Sequence, residues 1–335
     1  MSAINGGLDL KLRGFVTRVV CPRRASGTTL ASSPMLLTRM KRSPAWLRVL
    51  AFCLLAVSSA AHGRVATITI LDGEATVLHA ANKFLAVEGA ALEAEDIVET
   101  TATTSLVRLE LANGALVDVG PASRVMIRPV WPGAGDAVVA YVLEGWVKLT
   151  QAKPVASGKT ILACAWLDVT GLDRDVVLQV KGSEAGLFAE SGLVHALVRG
   201  QAGQASAVKV ERGTFVARRA DGSVATSARP AGAFLQSVPR AFMDTLPVRA
   251  ALFSGKDIPL KSAPGRLSYA ETEAWLHAEP RVRNRFLLRW RPLLQDEAYR
   301  RALTAQLALH PEWRPVLYPP QPINRPYAAS ETVKP

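Results

Sequence analysis

Seven arginines crowd one stretch near the C-terminal end: Arg281, Arg283, Arg285, Arg289, Arg291, Arg300 and Arg301. Guanidinium forks match carboxylate and phosphate oxygens, which makes Arg281, Arg285 and Arg289 the candidate face for an anionic ligand. The competing expectation is a solvated helix face whose cations pair with Glu271, Glu273, Glu279, Asp296 and Glu297. Docking to another protein is the third.

Other chemistry-bearing residues lack the neighbours their chemistry needs. The five histidines, His62, His79, His195, His277 and His310, have no second His or Cys at metal-ligand spacing. His277-Ala278-Glu279-Pro280 would need paired cysteines downstream to hold zinc, and none follows. Ser157-Gly158-Lys159-Thr160 ends like a phosphate-binding loop, but Lys153 stands where that loop has its first glycine. No serine sits in a Gly-x-Ser-x-Gly elbow. Cys164 lies in the apolar run Ile161–Leu167, where a buried, inert thiol is expected. No catalytic, cofactor-binding or metal-binding residue is nominated, and an enzyme is the least favoured class.

The formal net charge of +12 suggests nucleic acid until it is divided along the chain. Residues 1–63 carry nine Lys/Arg against Asp9 alone, giving +8. Residues 64–235 carry 16 basic against 18 acidic side chains, giving −2, and residues 236–335 carry 15 against 9, giving +6. Most of the excess therefore belongs to residues 1–63, which end in a segment that reads as a secretory signal over residues 40–63. Met40–Arg48 is a charged n-region, Val49–Val57 a short apolar core, and Ser58–Gly63 a run of small residues with cleavage expected after Ala60, Ala61 or Gly63. Arg48 leaves about a dozen apolar residues where a membrane span needs roughly 20. The mature chain is thus expected to be periplasmic, without a transmembrane span, and nucleic acid is excluded by compartment. Residues 1–39 form a leader with no periodic apolar face, expected to be disordered, and Met35 and Met40 are alternative starts. Cys21 and Cys53 precede the mature chain, so Cys164 has no intramolecular partner there.

From Arg64 to about Leu235, short β-branched or alternating runs are separated by Gly, Asn, Asp or Pro, the pattern of an all-β domain. Strands are expected at Val65–Leu71, Ser105–Leu111 and Ala115–Val119, with Asn113-Gly114 as a hairpin turn. Further strands are expected at 137–143, 146–150, 160–169, 176–180, 193–198, 207–210 and 214–218. A spacing near ten residues without intervening helices favours a sandwich, jelly roll or β-roll.

Over residues 66–127 these runs carry a resemblance. Gly73-Glu74-Ala75-Thr76-Val77, Asp96-Ile97-Val98-Glu99-Thr100, Ser105–Gly114 and Val119-Gly120-Pro121-Ala122-Ser123 resemble the FecR domain, with Gly73, Asp96, Thr100, Asn113, Gly114 and Pro121 as its turn residues. Ala94-Glu95-Asp96 departs from that family's usual Gly-Asp turn. Tyr141–Leu149 and Leu187–Val194 resemble the strand–Gly–strand repeat that often follows. The best-understood FecR proteins add a cytoplasmic anti-sigma segment and a transmembrane helix; this chain resembles their periplasmic part alone.

Residues 236–318 change period. Ser268 with Glu271 forms a capping box for a helix ending before Pro280, and Asp296 is expected to cap a last helix through His310. Trp275, Phe286, Trp290 and Trp313 are expected to pack against each other or the β domain. Residues 319–335, rich in Pro, are expected to be extended or disordered. The fold expected is mainly β, a FecR-type β-sandwich or β-roll followed by a small helical region. The resemblance implies an exported, non-catalytic protein that binds an envelope protein or anionic envelope component, with a part in signal relay. The alternative is a structural or glycan-associated envelope protein.

Overall fold

The computed structural model describes residues 63–131 and 138–319. The leader, the signal with Ala60 and Ala61, and the tail from residue 320 lie outside them; Gly63 is the first described residue. Among the described residues, no helix is long and apolar enough to cross a membrane.

The protein is mainly β, with its helices gathered towards the C-terminal end. The strands are β1 (Ala66–Asp72), β2 (Ala75–His79), β3 (Asn82–Leu85), β4 (Ala91–Leu92), β5 (Ile97–Thr100) and β6 (Leu106–Leu111). Next come β7 (Leu116–Val119), β8 (Arg124–Ile127), β9 (Ala140–Thr150), β10 (Leu162–Ala163), β11 (Leu167–Leu172) and β12 (Asp175–Lys181). The last six are β13 (Glu184–Ser191), β14 (Val194–Arg199), β15 (Ala205–Val210), β16 (Phe215–Arg218), β17 (Val224–Ser227) and β18 (Lys261–Ser262).

Two sheets share one strand. The first runs β4-β1-β6-β7-β9-β12-β13-β16-β17 and the second β18-β3-β2-β5-β8-β9-β10-β11-β14-β15. All pairings are antiparallel except β9 with β10. Residues 140–144 of β9 belong to the second sheet and residues 145–150 to the first. The crossing falls at Gly145, whose φ of +93° suits glycine alone. Ser123 fills the notch, its Oγ accepting from Trp146 N at 2.8 Å. The two strands expected at 137–143 and 146–150 are therefore one strand with a bend.

The inward residues of both sheets form one core, with Ile68, Val107, Leu109, Val147, Leu149, Leu178 and Leu187 among its fully or nearly fully buried members. Alternation explains the choice: Val107, Leu109 and Leu111 point in, while Arg108 and Glu110 point out. Arg108 and Glu110 are nevertheless buried, because residues 232–253 run across the outer face of the first sheet. There Phe234 of α1 (Gly232–Ser237) and Phe242 pack on Trp146, Val177 and Phe215. Arg108 forms a two-pronged pair with Asp118 and donates to Leu246 O, and Glu110 accepts from Arg249 N and Ala250 N.

The outer face of the second sheet is covered by helices. They are α2 (Tyr269–Leu276), α3 (Pro280–Arg283), α4 (Phe286–Arg289), α5 (Glu297–Ala305) and α6 (Arg314–Leu317), here called the helical module. Leu78, Ile97, Met126 and Tyr141 of the sheet meet Trp275, Phe286, Trp290 and Leu303 in a second core. The capping box at Ser268 and Glu271 is present, and Asp296 caps α5 through Tyr299 N at 3.0 Å. The helix expected to run through His310 stops at Ala305, since residues 306–310 tighten into turns that bury His310, and a further short helix, α6, follows it. The single strand expected at 160–169 is a tight hairpin in which Leu162 faces Val169, with Cys164–Trp166 as its turn.

A joint between the β-sheet and the helical module as candidate functional site

The arginines meet the sheet at two points. Arg281 of α3 donates from Nη2 to Asp168 Oδ1 at 2.8 Å and from Nη1 to Asp168 Oδ2 at 3.1 Å. Its Nε reaches Glu279 Oε1 at 2.8 Å and its Nη2 also reaches Cys164 O at 2.9 Å. The guanidinium lies 4.8 Å from the Trp131 ring centre, within cation–π range. Arg199 of β14 donates to the same Asp168. Burial would lower the Arg281 pKa, yet the hydrogen bonds and charges of Asp168 and Glu279 hold it above the ordinary value.

Arg289 of α4 makes the second contact entirely with main-chain oxygens. Its Nη2 donates to Leu78 O at 2.6 Å, its Nε to Ala80 O at 3.1 Å and its Nη1 to Glu95 O. Burial pushes its pKa down, only partly offset by the nearby Asp96 and Glu95. Arg285 Nε pairs with Glu95 Oε1 at 2.9 Å. The three arginines of the candidate anion face thus hold the helical module to the β-sheet instead of projecting together as a free surface. Trp275 Nε1 donates to Glu99 Oε1 at 2.8 Å, a bond that partly offsets the rise burial imposes on that carboxyl.

The turn residues of the motif region have local structural partners. Gly73 has φ +110°, and a Cβ there would lie 2.6 Å from Thr104 Cα. Asp96 is buried, accepts from Glu93 N at 2.8 Å and pairs with His79 Nδ1 at 2.7 Å. Thr100 Oγ1 donates to Gly120 O at 2.7 Å and accepts from Ser123 N at 2.9 Å. Asn113 Oδ1 accepts from Ala115 N, Gly114 has φ +82°, and Pro121 O accepts from Ser123 Oγ at 3.0 Å.

Beside the Arg289 contact lies a cleft of about 510 Å³. One wall is the β2–β3 hairpin with Asn82, Lys83 and Phe84; the second is the segment from Ser262 to Leu267; the third comes from Arg289, Leu293 and Asp296. Lys83 pairs with Glu271 at 2.6 Å. Sequence reading did not single out Asp168, Lys83 or Arg266. The available signal at Asp168 was a lone carboxylate between Leu167 and Val169, a charge inside an apolar strand that needs a buried partner.

No protein-family model matches the chain, and no curated protein matches it. Two crystal structures, at 2.50 and 1.65 Å, of a Parabacteroides distasonis protein provisionally described as an anti-sigma factor are similar in part. Each shares 12% sequence identity, with TM-scores of 0.33 and 0.32. The similarity covers 42% of this chain and 64% and 65% of those chains, so this chain spans less than two thirds of their length.

Proposed function

We propose that this chain is an exported, non-catalytic binding protein of the periplasm, FecR-like in its β domain, that recognises an envelope protein and relays its occupancy. The observation that carries this reading is the cleft whose walls come from both the hairpin β2–β3 and the helical module. A ligand seated there touches both bodies beside the Arg289 contact, so it would favour whichever spacing of the two lets it bind. Export is supported by the signal pattern at residues 40–63, and the family reading by the order of Gly73, Asp96, Thr100, Asn113-Gly114 and Pro121. Lys83 and Asp296, two titratable groups of the cleft, are engaged in pairing with Glu271 and in capping, which suits recognition better than proton transfer.

Crosslinking in intact envelopes followed by pull-down tests the role. Recovery of one transporter or inner-membrane protein supports it; co-sedimentation with purified peptidoglycan and no such partner replaces it with a wall-associated structural role. Mass spectrometry of the envelope fraction tests export: the mature N-terminus is expected between Ala61 and Arg64, and an intact Met1 or Met40 would refute cleavage.

A further inference from the structure

We propose that the cleft between the β2–β3 hairpin and the helical module binds a short acidic peptide segment of the partner, a specificity that rests on the binding role proposed above. The charged residues lining it are Lys83, Arg266, Arg289 and Asp296, three cations against one acid. Counting Glu271, which pairs with Lys83, the balance is still positive. Arg266 is exposed and has no ionic partner among the described residues. Among the described residues, Arg289 donates only to carbonyl oxygens, with Asp96 and Glu95 nearby but not hydrogen-bonded to its guanidinium. Asp296 spends Oδ1 on the N-cap of α5.

Main-chain groups argue for a peptide over a bare anion. Gly265, Arg266 and Leu267 line the cleft, and among the described residues their N–H and C=O groups find no main-chain partner. Immediately before them, Ala263 N still bonds Lys83 O at 3.2 Å, so pairing along the β3 edge stops where the cleft opens. Unpaired donors and acceptors beside a sheet edge are what an extended peptide satisfies, while side-chain pockets select its sequence. Phe84, Pro292 and Leu293 supply apolar lining for the residues between the acids.

The test uses the mature chain from Arg64 and a fluorescein-labelled pool of short peptides mixing Glu with Leu, read by fluorescence anisotropy. Saturable binding is expected, weakened about tenfold or more by Arg266→Glu, and weakened on raising salt from about 50 to about 300 mM. An otherwise identical pool with Lys in place of Glu should not bind. Arg266 is exposed, so the variant's thermal unfolding should match the parent's and fold loss is separable from site loss. Inorganic phosphate competing as well as the peptide pool would overturn the peptide assignment in favour of a simple oxyanion site. No binding, or equal binding by Arg266→Glu, would overturn the proposal. If the Arg266→Glu chain still retrieves the wild-type partner from envelopes, this cleft assignment falls while the binding role stands.

Discussion

Arg281 and Asp168, 113 positions apart in the chain, face each other through two parallel hydrogen bonds of 2.8 and 3.1 Å at the joint between helix and sheet. Asp168 is nearly buried, and Arg199 is its second cationic partner. Removing one side of a buried pair costs roughly 3 to 5 kcal/mol when the other charge is stranded. Arg281→Ala leaves Asp168 with Arg199, so its cost should fall to about 2 kcal/mol. Asp168→Ala takes the carboxylate from two guanidiniums, leaving Arg281 with Glu279 and Arg199 with main-chain oxygens only, and should cost more than Arg281→Ala. Urea unfolding of the chain from Arg64 measures both; the reverse order would show that Arg281 acts mainly through Glu279, Cys164 O and Trp131 rather than through Asp168.

Gly145 and Gly182 both have positive φ, +93° and +57°, but their surroundings differ. A Cβ at Gly145 would collide with Ser123, including its Cα, whereas at Gly182 nothing lies within 4 Å. Gly182→Ala should therefore cost only the left-handed penalty of about 1 to 2 kcal/mol. Gly145→Ala should exceed about 3 kcal/mol or prevent folding, because β9 must change sheets at that residue. Comparable unfolding midpoints for the two variants would remove the steric account of the crossing.

The strands β1, β6, β7 and β12 were legible because each alternates or is β-branched and ends at a turn residue. The bend in β9 was not, since Gly145 reads equally as a turn between two strands and only the close approach of Ser123 distinguishes them. Ser268 and Asp296 announced their helices, because a cap is a local device whose partners lie three residues away. The arginine cluster drew notice for its guanidiniums, but their partners Asp168, Glu95 and the carbonyl of Leu78 are far away in sequence. Local pattern shows which residues can bond and leaves open what they bond to.

Cys164 should be chemically silent in the folded protein. It is fully buried, and burial pushes its thiol pKa up to about 11, so little thiolate exists at neutral pH. Native protein mixed with a thiol-reactive chromogenic disulfide should release almost no colour until denaturant is added. Prompt stoichiometric reaction without denaturant would mean that the β10–β11 turn opens.

His79 gives the joint a pH dependence whose sign follows from its partner. Its hydrogen bond to Asp96 raises the imidazole pKa above the ordinary value; burial and Arg289 oppose the rise, and the charge of Glu93 assists it. The folded state therefore binds the proton more tightly than the unfolded one, and the resulting stability is fully present below the ordinary value of 6.5 and lost as pH rises through the raised value. His310 acts in the opposite sense: burial lowers its pKa, so its contribution is present above 6.5 and lost as pH falls. Replacing His79 with Gln isolates the first effect from the second. The stability lost in His79→Gln should be larger at about pH 6 than at about pH 8.5, measured by urea midpoints at constant ionic strength. A difference that does not vary with pH would mean that His79 and Asp96 do not share a proton-dependent bond in the folded protein.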